Sequence, residues 1–356
     1  MRSSGQSWPA MTADVRCQED AQATGSICVY LLVVSLVPLL NKHIMQGLLG
    51  APAFPYPLTL TAVTTSVASC LLVLLSAVKH ACCDRGSHAS WVLGPHLAFK
   101  LRAVAPVGLL FGVKGGLSNW GLALADVPTH SLLMATDLVW ACLFARIING
   151  ERPSGPRLAA VSGVAVGGFL VALGAVAPSQ GEVPRMSSFG LLINLLGPAV
   201  SGLIISTIRR AAQRVCLDED SPVRSSVSSL EMAALKMTVA VCLALPLALV
   251  LEDAELGAGI PPRLACSLLL AAALVGALHV DVFLMAKLTS ALSVGVAGQV
   301  KVVPMWLLAV ALGGEFRHSA LSMSGAALCL LSSAAWAWHR GGAPLQPDDV
   351  RRSPML

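Results

Sequence analysis

The 356-residue chain carries 24 Lys and Arg and 19 Asp and Glu, so that 12% of its residues are charged and 55% are hydrophobic. A soluble domain carries roughly 25% charged residues. So few charges cannot cover a water-exposed surface, which excludes a soluble enzyme or a DNA-binding module, and the high hydrophobicity excludes intrinsic disorder. The composition is typical of a polytopic membrane protein, and the 31 Gly predict helices that pack closely through small side chains.

Apolar segments long enough to cross a bilayer of about 30 Å as helices follow one another along the chain. The ten predicted spans are 26–48, 56–78, 103–124, 128–147, 157–176, 188–207, 232–251, 264–286, 291–312 and 318–338. They predict an all-α, ten-helix domain over 26–338, with halves at about 26–176 and 188–338, between polar tails at 1–25 and 339–356.

The positions of the 24 Lys and Arg residues predict the orientation of these spans. With a cytosolic N-terminus, the cytosolic segments hold most of them, and the opposite side holds Lys42, Arg185, Arg263 and Arg317. This asymmetry follows the positive-inside rule and predicts that both termini are cytosolic. Residues 1–25 lack the apolar run of a signal peptide.

Two stretches of the chain repeat the same spacing between charged residues. Asp137 precedes Glu151 by 14 residues in the fourth span, and Lys301 precedes Glu315 by the same 14 in the ninth. Because each half contains an odd number of spans, the second half would enter the membrane inverted. The pattern therefore predicts a five-plus-five inverted repeat, as in secondary transporters, with Asp137 and Lys301 at matching depths.

The ionisable residues inside the spans are candidates for a binding site, because a charge at membrane depth costs at least about 2.5–3.5 kcal/mol. Lys114 and Lys301 lie too far from the span ends to reach the interface. Either of them could pair with Asp137 in a purely structural role. Lys236 and Lys42 lie near span ends, and snorkelling to the interface explains both. The surplus of lysine over aspartate predicts a cavity that attracts an anion.

Other polar residues within the spans give weaker signals. His130 and Asp137 share a helix face, whereas His279 and Asp281 project to different faces. Two ligands do not make a metal site, and the cysteines show no paired CxxC spacing. We therefore expect no metal, cofactor or catalytic residue. The amides of Asn119, Asn194 and Gln299 could hydrogen-bond between helices.

Several short motifs, taken in order, resemble one transporter family. They are Asn41-Lys42, Phe54-Pro55-Tyr56-Pro57-Leu58-Thr59-Leu60-Thr61, Leu117-Ser118-Asn119, Thr289-Ser290-Ala291-Leu292-Ser293-Val294, Gly298-Gln299-Val300-Lys301 and Glu315. Over nearly its whole length the chain resembles the triose-phosphate and nucleotide-sugar branch of the drug/metabolite transporter superfamily. The resemblance implies a ten-helix inverted repeat that exchanges phosphorylated or nucleotide sugars for phosphate or a nucleoside monophosphate.

The resemblance also implies a role for Lys301, which matches the lysine that contacts substrate in the ninth helix of that family. The chain departs from the family pattern beside this lysine, at Val300 and Val302, and in the fourth span, at Met134 and Leu138. Lys114 could replace the missing positive charge. These departures concern the substrate more than the fold.

We therefore expect a non-enzymatic secondary transporter that exchanges a nucleotide sugar for a nucleoside monophosphate by alternating access. The expected location is a Golgi or endoplasmic reticulum membrane, and the expected partners are a phosphorylated substrate, a counter-anion, the lipid bilayer and a second copy in a homodimer. The candidate substrate-binding residues are Lys301, Lys114, Asp137, Asn119, Gln299 and Lys236. The alternatives are a sugar-phosphate exchanger of a plastid membrane and a non-transporting membrane scaffold.

Overall fold

The computed structural model describes residues 13–47, 52–83, 92–134, 136–150, 154–176, 186–218, 220–223, 227–253, 260–288 and 320–338, whose regular structure is helical. The helices are α1 (Ala13–Gln46), α2 (Pro57–Cys83), α3 (Leu97–Leu124), α4 (Val127–Met134), α5 (Asp137–Asn149), α6 (Gly155–Val176), α7 (Ser188–Ala212), α8 (Ser229–Leu251), α9 (Pro262–Leu288) and α10 (Ala320–Trp338).

Every predicted span within the described residues lies in one or two of these helices. Six stretches are long and apolar enough to cross a membrane: Thr24–Gln46, Pro57–Cys82, Thr129–Asn149, Ser188–Val215, Ser229–Leu251 and Pro262–Ala286. Helices α6 and α10 contain shorter apolar stretches. Helix α3, with 28 residues, is long enough to span but carries the polar residues Lys114, Ser118 and Asn119. The described residues thus form the helices of a polytopic membrane protein.

The ten-helix count and the inverted repeat stay predictions. The ninth predicted span, 291–312, lies outside the described residues. Glu151, Lys301 and Glu315, which belong to the repeated spacing, lie outside them too. The C-terminal tail 339–356 lies outside them too, whereas α1 begins at Ala13, within the segment predicted as the N-terminal tail.

The fourth predicted span differs from the prediction because it is interrupted. Helix α4 ends at Met134 and α5 begins at Asp137. Both the backbone N–H and the hydroxyl of Thr136 donate to the carbonyl of Leu133, at 3.1 and 2.8 Å, and so close a turn between the two helices. Discontinuous helices of this kind commonly form the substrate site of membrane transporters.

Polar contacts near the helix ends fix the relative directions of the helices. The Lys42 ammonium on α1 donates to the carbonyls of Leu122 and Ala125 at the end of α3, at 2.7 and 2.9 Å. It therefore binds the negative end of a helix dipole, and its snorkelling to the interface stays a prediction. The Glu252 carboxylate, after α8, accepts from the backbone N–H groups of Leu58 and Thr59 at the start of α2, at 2.8 and 2.7 Å.

Two more polar contacts of this kind lie at the other end of the bundle. Lys100 at the start of α3 forms a 2.9 Å ion pair with Glu231 at the start of α8, and both side chains are buried. The Ser26 hydroxyl on α1 donates to Asp281 near the end of α9. Helices α1, α3 and α8 therefore run parallel, and α2 and α9 run against them, in agreement with the predicted alternation. The sequence places Lys100 in a predicted cytosolic segment and gave no indication of its full burial.

Glycines allow several helices to approach backbone to backbone, as the composition predicted. A Cβ atom on Gly167 of α6 would lie 2.6 Å from the carbonyl oxygen of Gly325 on α10. A Cβ atom on Gly202 of α7 would lie 2.5 Å from the backbone nitrogen of Ala141 on α5. At these two sites any side chain forces the paired helices apart.

We expect Gly202→Ala to destabilise the protein by about 1–3 kcal/mol, the usual cost of overpacking. The matched control is Gly276→Ala on α9, where the nearest atom to the new Cβ is 3.7 Å away, an ordinary contact. The control should be neutral or slightly stabilising, because Ala favours helix over Gly. Unfolding of both variants in detergent tests this, and equal stabilities would contradict the close α5–α7 packing.

Candidate substrate cavity

A cavity opens between α1, α2, α3, α4, α5, α7 and α9, and encloses about 910 Å³ of empty space including its mouth. Part of the wall is apolar, with Val34, Phe111 and Leu278 among its residues. The polar residues of the wall are Asn41, Thr61, Thr64, Thr65, Lys114, Ser118, Asn119, His130, Ser131, Asp137, Ser201 and His279.

Three of the predicted binding residues line this cavity: Lys114, Asn119 and Asp137. Asp137 is buried in the first turn of α5, where the helix dipole favours a negative charge. The Ser201 hydroxyl donates to its carboxylate at 3.4 Å. The predicted pairing of Asp137 with a lysine stays a prediction. Lys301 and Gln299 lie outside the described residues.

Lys236 does not line the cavity but lies buried directly behind its wall, 1% exposed. Its ammonium is 2.8 Å from Nδ1 of His279, which does line the cavity, and 4.4 Å from the centre of the Phe111 ring. The expectation that Lys236 snorkels is therefore wrong. With Lys236 as the donor, His279 accepts at Nδ1 and carries its proton on Nε2.

We expect Lys236→Met to reduce uptake about tenfold, the effect of losing one hydrogen bond that orients His279. Stability should hold, because replacing a buried charge by an apolar residue of similar size is often neutral or favourable. Lys79→Met, at an exposed lysine of α2, is the control. Uptake and melting temperature are measured for both variants. Unchanged uptake by Lys236→Met would show that the Lys236–His279 hydrogen bond does not contribute to transport.

The donor and acceptor nitrogens of His130 are arranged in the opposite way to those of His279. The Asn194 amide nitrogen donates to the carbonyls of Gly121 and Gly190, at 3.1 and 2.8 Å. The Asn194 oxygen is therefore an acceptor, and His130 donates to it from Nδ1 at 2.7 Å. When neutral, the His130 ring then has its acceptor at Nε2. The two cavity histidines thus differ, one protonated on Nδ1 and the other on Nε2.

Three residues from three helices form a hydrogen-bonded chain in the wall, which we call the amide relay. The Asn41 amide nitrogen on α1 donates to the Asn119 oxygen on α3 at 2.9 Å. The Asn119 amide nitrogen donates to the Thr61 hydroxyl on α2 at 2.8 Å. That hydroxyl donates in turn to the carbonyl of Pro57 at 2.9 Å. All three side chains of the relay are more than nine-tenths buried.

Sequence reasoning did not assign Asn41, Thr61, His130 or His279 to the site. Asn41 and Thr61 belong to the quoted motifs, but a lone polar residue on a helix gives no indication of its partner. His130 and Asp137 were predicted to share a face, and both line the cavity. His279 and Asp281 were predicted to face apart, and they contact Lys236 and Ser26 respectively.

Comparison with known proteins identifies the family. A family model described as purine nucleobase transmembrane transport matches residues 26–253, well over half of the chain. The chain belongs to this purine nucleobase transport family. The family assignment confirms a membrane transporter, but it does not support the triose-phosphate and nucleotide-sugar branch suggested by the sequence motifs.

Solved structures support the fold of this purine nucleobase transport family member. In all, 28 chains of known structure match it significantly. One crystal structure matches over 86% of this chain and 98% of its own, with 20% identical residues and a TM-score of 0.54. At that identity the likeness concerns the fold alone. No curated protein matches the sequence significantly.

Proposed function

We propose that this protein carries a neutral purine-type nucleobase across a membrane, and that the cavity is its binding site. The observation that carries the proposal is the balance of charge in the described part of the wall. Lys114 and Asp137 are its charged residues, of opposite sign, and the remaining polar groups are amides, hydroxyls and imidazoles. Such a wall suits a neutral polar ligand better than an anion.

The chemistry of a purine fits this set of groups. A purine edge carries hydrogen-bond donors beside acceptors, as adenine does with its exocyclic amino group and N7. Of the wall residues, Asn41 can accept through its oxygen and His279 can donate through Nε2. Every base also has a π face that packs on aromatic side chains, and Phe111 supplies an aromatic surface in the wall.

The nucleotide-sugar alternative requires a different distribution of charge. It needs Lys301 and Lys114 together at the phosphate, and Lys301 lies outside the described residues. The buried Lys236 ammonium is directed to His279 rather than into the cavity. An endomembrane location rests on the same motif resemblance. The charge asymmetry of the sequence independently supports cytosolic termini, and transport by alternating access is part of the proposal.

A ligand panel on the purified full chain in detergent tests the substrate class. Thermal stabilisation is measured with adenine, hypoxanthine, uracil, UDP-glucose, GMP and glyceraldehyde 3-phosphate. A ligand present at 100 times its dissociation constant stabilises the folded state by about 2.7 kcal/mol. We expect stabilisation by the purine bases, little by uracil, and none by the phosphorylated compounds.

The panel also gives the result that would overturn the proposal. Stabilisation by UDP-glucose or GMP, with none by either purine base, would return the protein to the organophosphate class. Stabilisation by no compound would favour the non-transporting scaffold.

A further inference from the structure

We infer that the cavity selects ligands that donate an N–H group, and that the Asn41 side-chain oxygen is the acceptor that binds this group. The inference rests on the proposed function and specifies which purines the site takes. Asn119 and Thr61 do not bind the ligand in this account. They are positioning residues that fix which amide atom of Asn41 is left for the ligand.

The direction of the amide relay follows from its last member. The Thr61 hydroxyl has one proton, and it donates that proton to the carbonyl of Pro57 at 2.9 Å. Toward Asn119 the hydroxyl can therefore only accept. Asn119 must turn its amide nitrogen to Thr61, which it does at 2.8 Å, and so its oxygen points to Asn41.

The same logic fixes Asn41. The Asn119 oxygen needs a donor, and the Asn41 amide nitrogen supplies it at 2.9 Å. Asn41 lines the cavity, and its oxygen is the amide atom left for another donor. This oxygen is buried and has no hydrogen-bond partner among the described residues. A buried acceptor left without a partner is costly, and a ligand N–H removes that cost.

The relay thereby restricts the ligand groups that Asn41 can bind. A free asparagine can bind adenine through two bonds, because its nitrogen donates and its oxygen accepts. Here the nitrogen is already engaged, so Asn41 offers a single acceptor. A ligand that places another acceptor or a methyl group at this point leaves the oxygen unsatisfied. A site built to bind an N–H group rejects such analogues strongly.

The test compares adenine with two analogues that each lack one kind of N–H group. In 6-methylpurine a methyl group replaces the amino group at nearly constant size, and 9-methyladenine has its ring N–H blocked. Binding is measured on the purified full-length wild type and three variants. Wild type should bind at least one analogue about tenfold or more weakly than adenine.

The variants separate positioning from packing. Thr61→Val keeps the shape of the side chain but removes the hydroxyl that orients Asn119. The affinity for adenine should then fall to that for the rejected analogue, so that the ratio of the two affinities approaches one. Thr61→Ser, which restores the hydroxyl, should retain the wild-type ratio. The matched control is Thr207→Val on α7, whose hydroxyl likewise donates to the carbonyl four residues before it, that of Leu203 at 2.7 Å, and which does not line the cavity. Its ratio should equal that of wild type.

Three results would overturn the inference while purine transport stands: equal wild-type affinity for all three ligands, an unchanged affinity ratio in Thr61→Val, or an altered affinity ratio in Thr207→Val. If Thr61→Val does not fold, Asn41→Leu replaces it, with the same expected loss of the ratio. Absence of adenine binding to wild type would instead remove the proposed function, and the inference with it.

Discussion

Replacing Lys100 by Met is expected to destabilise the folded protein by about 3–5 kcal/mol, the cost of leaving one buried charge without its partner. Lys100 is 0% exposed, and its ammonium lies 2.9 Å from the Glu231 carboxylate, itself 1% exposed. Glu231 also accepts from the backbone N–H of Ser228 in a capping box at the start of α8. Loss of the lysine therefore affects the α3–α8 contact and the first turn of α8 together.

Two further variants make this prediction specific. Lys100→Met combined with Glu231→Gln removes both charges and keeps a residue that can complete the capping box, so most of the lost stability should return. Arg102→Met, at an exposed cation two residues along α3, should change stability by less than about 0.5 kcal/mol. Unfolding curves in detergent measure all of them. Equal losses for Lys100→Met and Arg102→Met would show that the ion pair is not buried.

Replacing Ser118 by Trp is expected to abolish uptake while the protein keeps its fold. Ser118 lines the cavity from α3, and an indole ring there occupies the space that a substrate needs. The effect should exceed that of any single lost hydrogen bond, because the site is filled rather than weakened. Uptake into proteoliposomes and the melting temperature are measured together.

The control for this substitution is Ser162→Trp on α6, where the serine is exposed and lies outside the cavity wall. It adds the same ring to a helix surface and should leave uptake near the wild-type rate. Normal uptake by Ser118→Trp would mean that the substrate follows another path.

The helical membrane fold was predictable from the sequence because hydropathy acts over whole segments. The apolar runs fixed which segments become helices, and Gly202 and Gly167 confirm the predicted close packing. The interruption of the fourth span was not predictable, because Thr136 closes its turn through two bonds to Leu133 that only the folded backbone shows. A β-branched residue in an apolar run reads equally well as part of a continuous helix.

The candidate site was predictable only in part, for a physical reason that Lys236 illustrates. A lysine within a span signals burial or snorkelling, but its partner lies on another helix. Lys114, Asn119 and Asp137 were expected at the site and line the cavity, whereas Lys236 lies behind the wall, against His279. Asn41 was overlooked as a ligand because its role depends on Asn119 and Thr61, which are distant in sequence.

Uptake of labelled adenine into proteoliposomes that contain the full-length protein is the most direct test of the central claim. We predict time-dependent accumulation that unlabelled purine bases inhibit and that an excess of UDP-glucose leaves unchanged. Uptake of labelled UDP-glucose, stimulated by internal nucleoside monophosphate, with no adenine uptake would contradict the account.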